Sequence, residues 1–380
     1  MTTSEPMGRL AFGLVAMTFA SLVACEPPAP TTSLTVELPP RQPPQPSSVP
    51  SAATEGTRLA GIAKPAFHAC EGALFVTADA STAREQVVTI YLVHGDELVL
   101  QESHALRFAR ASEARAELMG RWPDAIYADV RTRDDEGFHA RMLRRTDAGW
   151  VDLALVDFPY YATWWGDGLM GLMRDPAVSL GRRLVRIDAP GSELPLPVGE
   201  GPACDARYAT PGFPKLAVQP LGVSSAAGEL FLLGVGCDGM VAAAVWSPGT
   251  AAARVQALGE RAFYDGLPGR VLGRSAADLW FFRPPMRPAA LSALRHFDGT
   301  RWSNVALPGD DVDLDGAAVD GYGALWAVID GKLFRRWAER WLEQPLSKPC
   351  EVRGVATVDK DSVWVACPSS VERITARPPR

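Results

Sequence analysis

The feature that most constrains this chain is a short apolar strand that recurs seven times along it. Three copies centre on tryptophan: Ala277-Asp-Leu-Trp-Phe-Phe282, Ala324-Leu-Trp-Ala-Val-Ile329 and Ser362-Val-Trp-Val-Ala366. Their tryptophans, Trp280, Trp326 and Trp364, lie 46 and 38 positions apart. Weaker copies run Ala73–Thr77, Asp124–Asp129, Gly168–Leu172 and Glu229–Leu233. A second motif reads as a strand, a tight turn and another strand that opens with Trp. It occurs at Leu143–Trp150, Leu294–Trp302 and Leu333–Trp341. Asp298-Gly299 and Asp330-Gly331 separate apolar runs, and Asp-Gly there signals a hairpin whose two central residues need positive φ.

A self-similar period of about 46 residues belongs to repeat architectures, and propeller blades run at that length. Residues 57–380 hold about seven such units. Each unit reads as an inner strand, the apolar strand, a third strand and an outer strand, most clearly from Asp313 to Pro345. The expected fold class is therefore all-β, a β-propeller of about seven (six to eight) four-stranded blades, with a pair of β-sandwiches as the alternative. The motifs resemble those of β-propellers in bacterial secreted and surface proteins, whose blades carry an "sxxDvWavG … hyDGtxWs" pattern. The likeness is strongest from Ser275 to Thr375. The last unit, Val352–Thr375, is short for four strands. Residues near Arg58–Phe67 are expected to supply the missing one and close the ring, which removes exposed sheet edges. Trp280, Trp326 and Trp364 are expected to pack between blades. Phe108–Arg121, rich in Ala, Glu and Arg, reads as a helix inserted between blades or as a surface excursion.

The N-terminal end carries a different signal. The apolar run Leu10–Ala24 has 15 residues, short of the roughly 20 that span a bilayer and suited to a secretory h-region. It ends in Leu22-Val-Ala-Cys25, which resembles the cleavage site of bacterial lipoproteins. The resemblance implies cleavage before Cys25 and two or three acyl chains on it, enough for stable anchoring. Met7-Gly-Arg9 would make a shorter, positively charged start. A plain secreted protein and a buried core helix are the other readings. Nine prolines lie between Pro27 and Pro50, a composition that cannot offset its ordering entropy and extends at about 3.1 Å per residue. The organisation read here is 1–24 signal peptide, 25–56 lipidated cysteine and disordered linker, and 57–380 propeller. Localisation is the cell envelope. Glu26, where an Asp would signal inner-membrane retention, leaves the outer membrane open.

Candidate chemistry is sparse. The formal charge of −6 argues against nucleic acid, which wants a basic face. Five cysteines follow Cys25, so at least one stays unpaired. Cys350 with Cys367 and Cys204 with Cys237 are the favoured disulfides, the alternative being small buried hydrophobes. Asp311, Asp313 and Asp315, followed by Gly316, match the opening of a calcium loop. The match is incomplete, since Tyr322 stands at the twelfth position, and a solvated turn between blades is the rival reading. The five histidines show no metal spacing, and no nucleophile elbow or phosphate loop is present. Tyr160, Tyr161, Trp164 and Trp165 read either as a stacking platform for a sugar or peptide or as core packing. These features together favour a non-enzymatic, membrane-anchored module that binds a protein or glycan and needs no cofactor. The alternative is a propeller hydrolase or lyase with a metal or carboxylate site in the central channel.

Overall fold

The computed structural model describes residues 57–376 apart from 83–84, 102–104, 110, 112, 156, 175–181, 190–217, 237–239, 251–252, 262–268, 284–292, 310–313 and 358. Cys25, the proline-rich linker, Cys204, Cys237, Asp311 and Asp313 lie outside the described residues.

Every regular element among them is a β-strand. The first is β1 (Thr57–Ala60). Blade 1 follows as β2 (Ala66–Cys70), β3 (Ala73–Asp79), β4 (Glu85–His94) and β5 (Glu97–Leu100), with β6 (Leu106–Ala109) pairing further along β4. Blade 2 is β7 (Glu113–Arg121), β8 (Ala125–Asp134), β9 (Gly137–Thr146) and β10 (Gly149–Asp152). Blade 3 shows β11 (Tyr161–Trp165), β12 (Gly168–Arg174) and β13 (Arg182–Arg186). Blade 4 is β14 (Val218–Ala226), β15 (Glu229–Gly236), β16 (Met240–Trp246) and β17 (Arg254–Arg261). Blade 5 is β18 (Arg270–Ser275), β19 (Asp278–Arg283), β20 (Ala293–Phe297) and β21 (Trp302–Asn304). Blade 6 is β22 (Leu314–Val319), β23 (Leu325–Ile329), β24 (Lys332–Trp337) and β25 (Arg340–Glu343). Blade 7 is β26 (Gly354–Thr357), β27 (Ser362–Cys367) and β28 (Ser370–Thr375), completed on its outside by β1, which pairs antiparallel with β28 from Thr57↔Arg373 to Ala60↔Ser370.

The first strands of successive blades touch in order, from β2 through β7, β11, β14, β18, β22 and β26, and β26 returns to β2. This is a seven-bladed β-propeller, and β1 from the N-terminal side closes it as the outer strand of blade 7. The seven recurring apolar strands of the sequence are β3, β8, β12, β15, β19, β23 and β27, the second strand of each blade.

Those strands read as continuous apolar runs because each is covered on both faces, as in any sheet sandwiched between two layers. The buried residues fall into seven clusters, one per seam between neighbouring blades. Trp280 packs with Leu325 and Ile329 of blade 6, and Trp326 with Val355 and Val363 of blade 7. Trp364 packs with Leu74 and Val76 of blade 1. The three repeated tryptophans thus fill successive seams.

In blades 4 to 7 a polar group at or just before the second strand is paired within its own blade. Glu229 accepts from Arg254 Nη2 at 2.9 Å and from Ser247 Oγ at 2.8 Å. Asp278 Oδ1 meets His296 Nε2 at 2.8 Å. Ser362 Oγ accepts from Arg373 Nη2 at 2.6 Å. In blade 6 the group is Asp320, at 0% exposure. It accepts from the backbone N–H groups of Tyr322 and Ala324, from Trp326 Nε1 at 2.9 Å and from Arg335 Nη2 at 3.0 Å. A buried carboxylate needs that full set, and it leaves Asp320 engaged in the fold.

Two details depart from the sequence reading. Among its described residues Phe108–Arg121 holds no helix; they include the end of β6 and all of β7. Along β7, Ala116 and Leu118 are buried while Glu113, Arg115 and Glu117 are exposed, a period of two that overrides the helix propensity of Ala, Glu and Arg. At the hairpin turns, Asp330 and Gly331 both have positive φ (50° and 69°), as a type I′ turn requires. At the other turn only Gly299 does, at 90°. There Asp298 Oδ1 instead accepts from the backbone N–H groups of Thr300 and Arg301.

Trp364 is fully buried at a seam, so Trp364→Ala should cost about 3–5 kcal/mol. Val151→Ala on the exposed outer strand of blade 2 should change stability by less than about 1 kcal/mol. Denaturant unfolding of the two variants checks this.

Candidate functional site

The first strands bring charged and aromatic side chains to the centre of the ring. Glu117 on β7 and Arg270 on β18 belong to blades 2 and 5, which are not neighbours. Their side chains nevertheless meet at 3.4 Å, so the pair reaches across the channel. Both remain more than half exposed, and an open pair of this kind contributes at most about 1 kcal/mol.

His68 on β2 lies within the field of Arg270. It is buried, and its Nε2 lies 2.8 Å from Thr77 Oγ1. Burial, and secondarily the Arg270 charge, lower its pKa to about 3. The imidazole is therefore neutral throughout the physiological range.

From Glu117 the row runs outward along blade 2. Glu117 stands opposite Asp129 on β8. Asp129 is buried and bound by Arg131, at 3.2 Å to Oδ1 and 3.0 Å to Oδ2. Burial raises the pKa of Asp129, against the pull of Arg131. The Arg131 guanidinium lies 5.8 Å from the Phe158 ring. On blade 3 the Tyr161 phenol lies close enough to feel the charges of both Arg131 and Arg182, although burial is the larger effect and raises its pKa. Arg182 lies 4.5 Å from the centre of the Tyr160 ring and donates to the Leu221 carbonyl of blade 4 at 2.9 Å. Tyr160 is 45% exposed. Three guanidiniums, two carboxylates and three aromatic rings thus succeed one another from the channel, across blade 2, to the start of blade 3. The carboxylates are tied to guanidiniums, Phe158 and Tyr161 pack partly buried against the seams, and Tyr160 is the exposed ring.

The four aromatic residues singled out in the sequence do not share one surface. Side chains alternate along a strand, so β11 divides them. Trp164 faces blade 2, where it stacks on Tyr127 at 6.1 Å and donates Nε1–H to Glu71 Oε2 at 3.0 Å. Trp165 and Tyr161 face blade 4, and Trp165 donates Nε1–H to the Gly228 carbonyl at 2.9 Å. Both indole N–H groups are hydrogen-bonded to other blades. Tyr160 and Tyr161 contribute to the row described above; Arg131, Phe158 and Arg182 complete it. No short sequence motif marks these three, because they come from separate strands and a loop.

Cys350 and Cys367 form a disulfide with Cα atoms 6.0 Å apart. Cys70 is a free thiol whose pKa burial pushes up to about 12, which leaves it a poor nucleophile. Asp315 lies in β22. Among the described residues no group of three or more His, Cys, Asp or Glu is placed to share a metal ion.

No protein-family model matches the chain, and no curated protein matches it. Among solved structures, it is similar to virginiamycin B lyase from Staphylococcus aureus, with a TM-score of 0.46, 10% identity and coverage of 85% of this chain and 100% of that one. It is also similar to YCF48 from Cyanidioschyzon merolae, with a TM-score of 0.47, 14% identity and coverage of 85% and 99%. At these identities the likeness concerns the path of the chain alone.

The state of His68 has a measurable consequence. Its pKa in the folded protein is depressed, while the unfolded chain takes up a proton near the ordinary value of 6.5. Its contribution is therefore complete above that value and is lost as pH falls towards about 3. Between pH 6.5 and 5 the loss should reach about 2 kcal/mol. Thermal melts of the parent and of His68→Gln should diverge across that range, with the variant less sensitive to acid. Parallel pH profiles would contradict the assignment.

Proposed function

We propose that this chain is a lipid-anchored protein of the bacterial cell envelope whose propeller is a non-enzymatic binding module for a protein or glycan. The observation that carries the binding role is the row from Arg270 to Tyr160. It gathers cationic and aromatic groups from several blades on a rigid support and leaves its outer end open. Such groups recognise ligands by charge-assisted hydrogen bonds and ring stacking. Proton transfer would instead need an accessible group titrating near the working pH. His68 is buried and titrates near 3, and Asp129 is held by Arg131.

The anchoring role rests on Leu22–Cys25 and on the proline-rich segment after it. That segment would hold the disc up to ~90 Å from the lipid at full extension. The first described strand, β1, is the outer strand of blade 7. The membrane, through the lipid on Cys25, and an envelope protein or glycan are the partners in this reading; nucleic acid is not.

The test is crosslinking of the tagged full-length protein in its native membrane, with Cys25→Ser as control. The reading predicts that the parent sediments with the membrane and captures a specific partner, and that the control loses both. Equal membrane association of parent and control would overturn the lipid anchor. The absence of any partner would overturn the binding role.

A further inference from the structure

The outer end of the row has the chemistry of one ligand class, and we propose that it is a binding ledge for carboxylate-bearing glycans. The inference rests on the reading of the propeller as a binding module and names its ligand.

The ledge is built from Arg131 of blade 2 and from Phe158, Tyr160, Tyr161 and Arg182 of blade 3. Arg182 is held in place by the Leu221 carbonyl on one side and by the Tyr160 ring on the other. A guanidinium fixed in plane presents a fork that matches a carboxylate. Tyr160, at 45% exposure, offers apolar ring surface beside that fork. A uronic acid sugar has both complements in one residue: a carboxylate for the fork, and a C–H face that stacks on an aromatic ring.

Blade 2 gives the ledge a wall. The cross-strand pairs Arg115↔Arg131 and Glu113↔Arg133 on β7 and β8, and Arg133↔Phe138 on β8 and β9, place these residues on the face that holds Arg131. Phe138 on this wall is 65% exposed. A further aromatic and further charge thus extend the surface beyond one sugar, which suits a polymer lying across it. Carboxylates interspersed with the cations, at Glu113, Glu117 and Asp129, make the surface unsuitable for a dense polyanion. They leave it open to a chain whose charges are a sugar apart.

The test uses the full-length protein with three probes: polygalacturonate, its methyl ester and polyglutamate. The inference predicts binding of polygalacturonate, with the methyl ester weaker by about tenfold or more, the loss of one charge-assisted contact. Polyglutamate should be weaker than polygalacturonate. Arg182→Gln and Tyr160→Ala should each weaken polygalacturonate binding about tenfold with unchanged melting. Arg182→Lys, which keeps the charge and loses the fork, should lie between Arg182→Gln and the parent. Equal affinity for the methyl ester would overturn the carboxylate, and equal or tighter polyglutamate binding would overturn the glycan. Parent-like affinity in both Arg182→Gln and Tyr160→Ala would overturn the site. No binding of polygalacturonate by the parent would overturn the inference, while a partner captured in the membrane would leave the binding-module reading standing.

Discussion

The structure depends on the seams between blades. A single four-stranded sheet of this chain has two apolar faces and cannot bury either alone. Each second strand is therefore stable only between two neighbours, and every blade needs the blade on each side. That requirement bends the seven sheets into a ring, because an open row would leave two apolar faces in water. The ring in turn needs its last blade complete, which is the work of β1 on β28. The closing contact joins residues more than three hundred positions apart, at Thr57 and Arg373. It brings the seam lined by Trp364, Leu74 and Val76 under cover.

Electrostatics is subordinate to that packing and shaped by it. Within blades, buried carboxylates such as Glu229 and Asp320 have their acceptors filled, so they cost the fold little. At the inner ends of the blades the same rule is relaxed, because side chains there border the channel. Glu117 and Arg270 pair while exposed, and His68 is neutral beside a cation. The rigid ring thus holds a mixed row of charge and aromatic surface that a flexible support would let collapse.

Much of the fold was legible because burial on both faces leaves a simple trace. The apolar runs around Trp280, Trp326 and Trp364 mark second strands without ambiguity, and Asp330-Gly331 marks its turn. The strand near residue 58 was legible from the shortness of the last unit. Legibility failed at Phe108–Arg121, where Ala, Glu and Arg suggest a helix and only the alternation at Ala116, Glu117 and Leu118 gives the strand away. The site was less legible than the fold. Tyr160, Tyr161, Trp164 and Trp165 are adjacent in sequence, yet a strand sends neighbours to opposite faces. Arg270 lies 153 positions from Glu117, so nothing local announces their meeting. Arg131 and Arg182 look like ordinary surface arginines until the blades bring aromatic rings beneath them.

The central claim, that the ring is closed by β1, is tested most directly by hydrogen–deuterium exchange on the full-length chain and on a chain lacking Thr57–Ala60. The account predicts that the deletion strips protection from β28 and β27 first, and then from β2 and β3 across the seam, while blades 3 to 5 hold longest. Unchanged protection in blade 7 would contradict it.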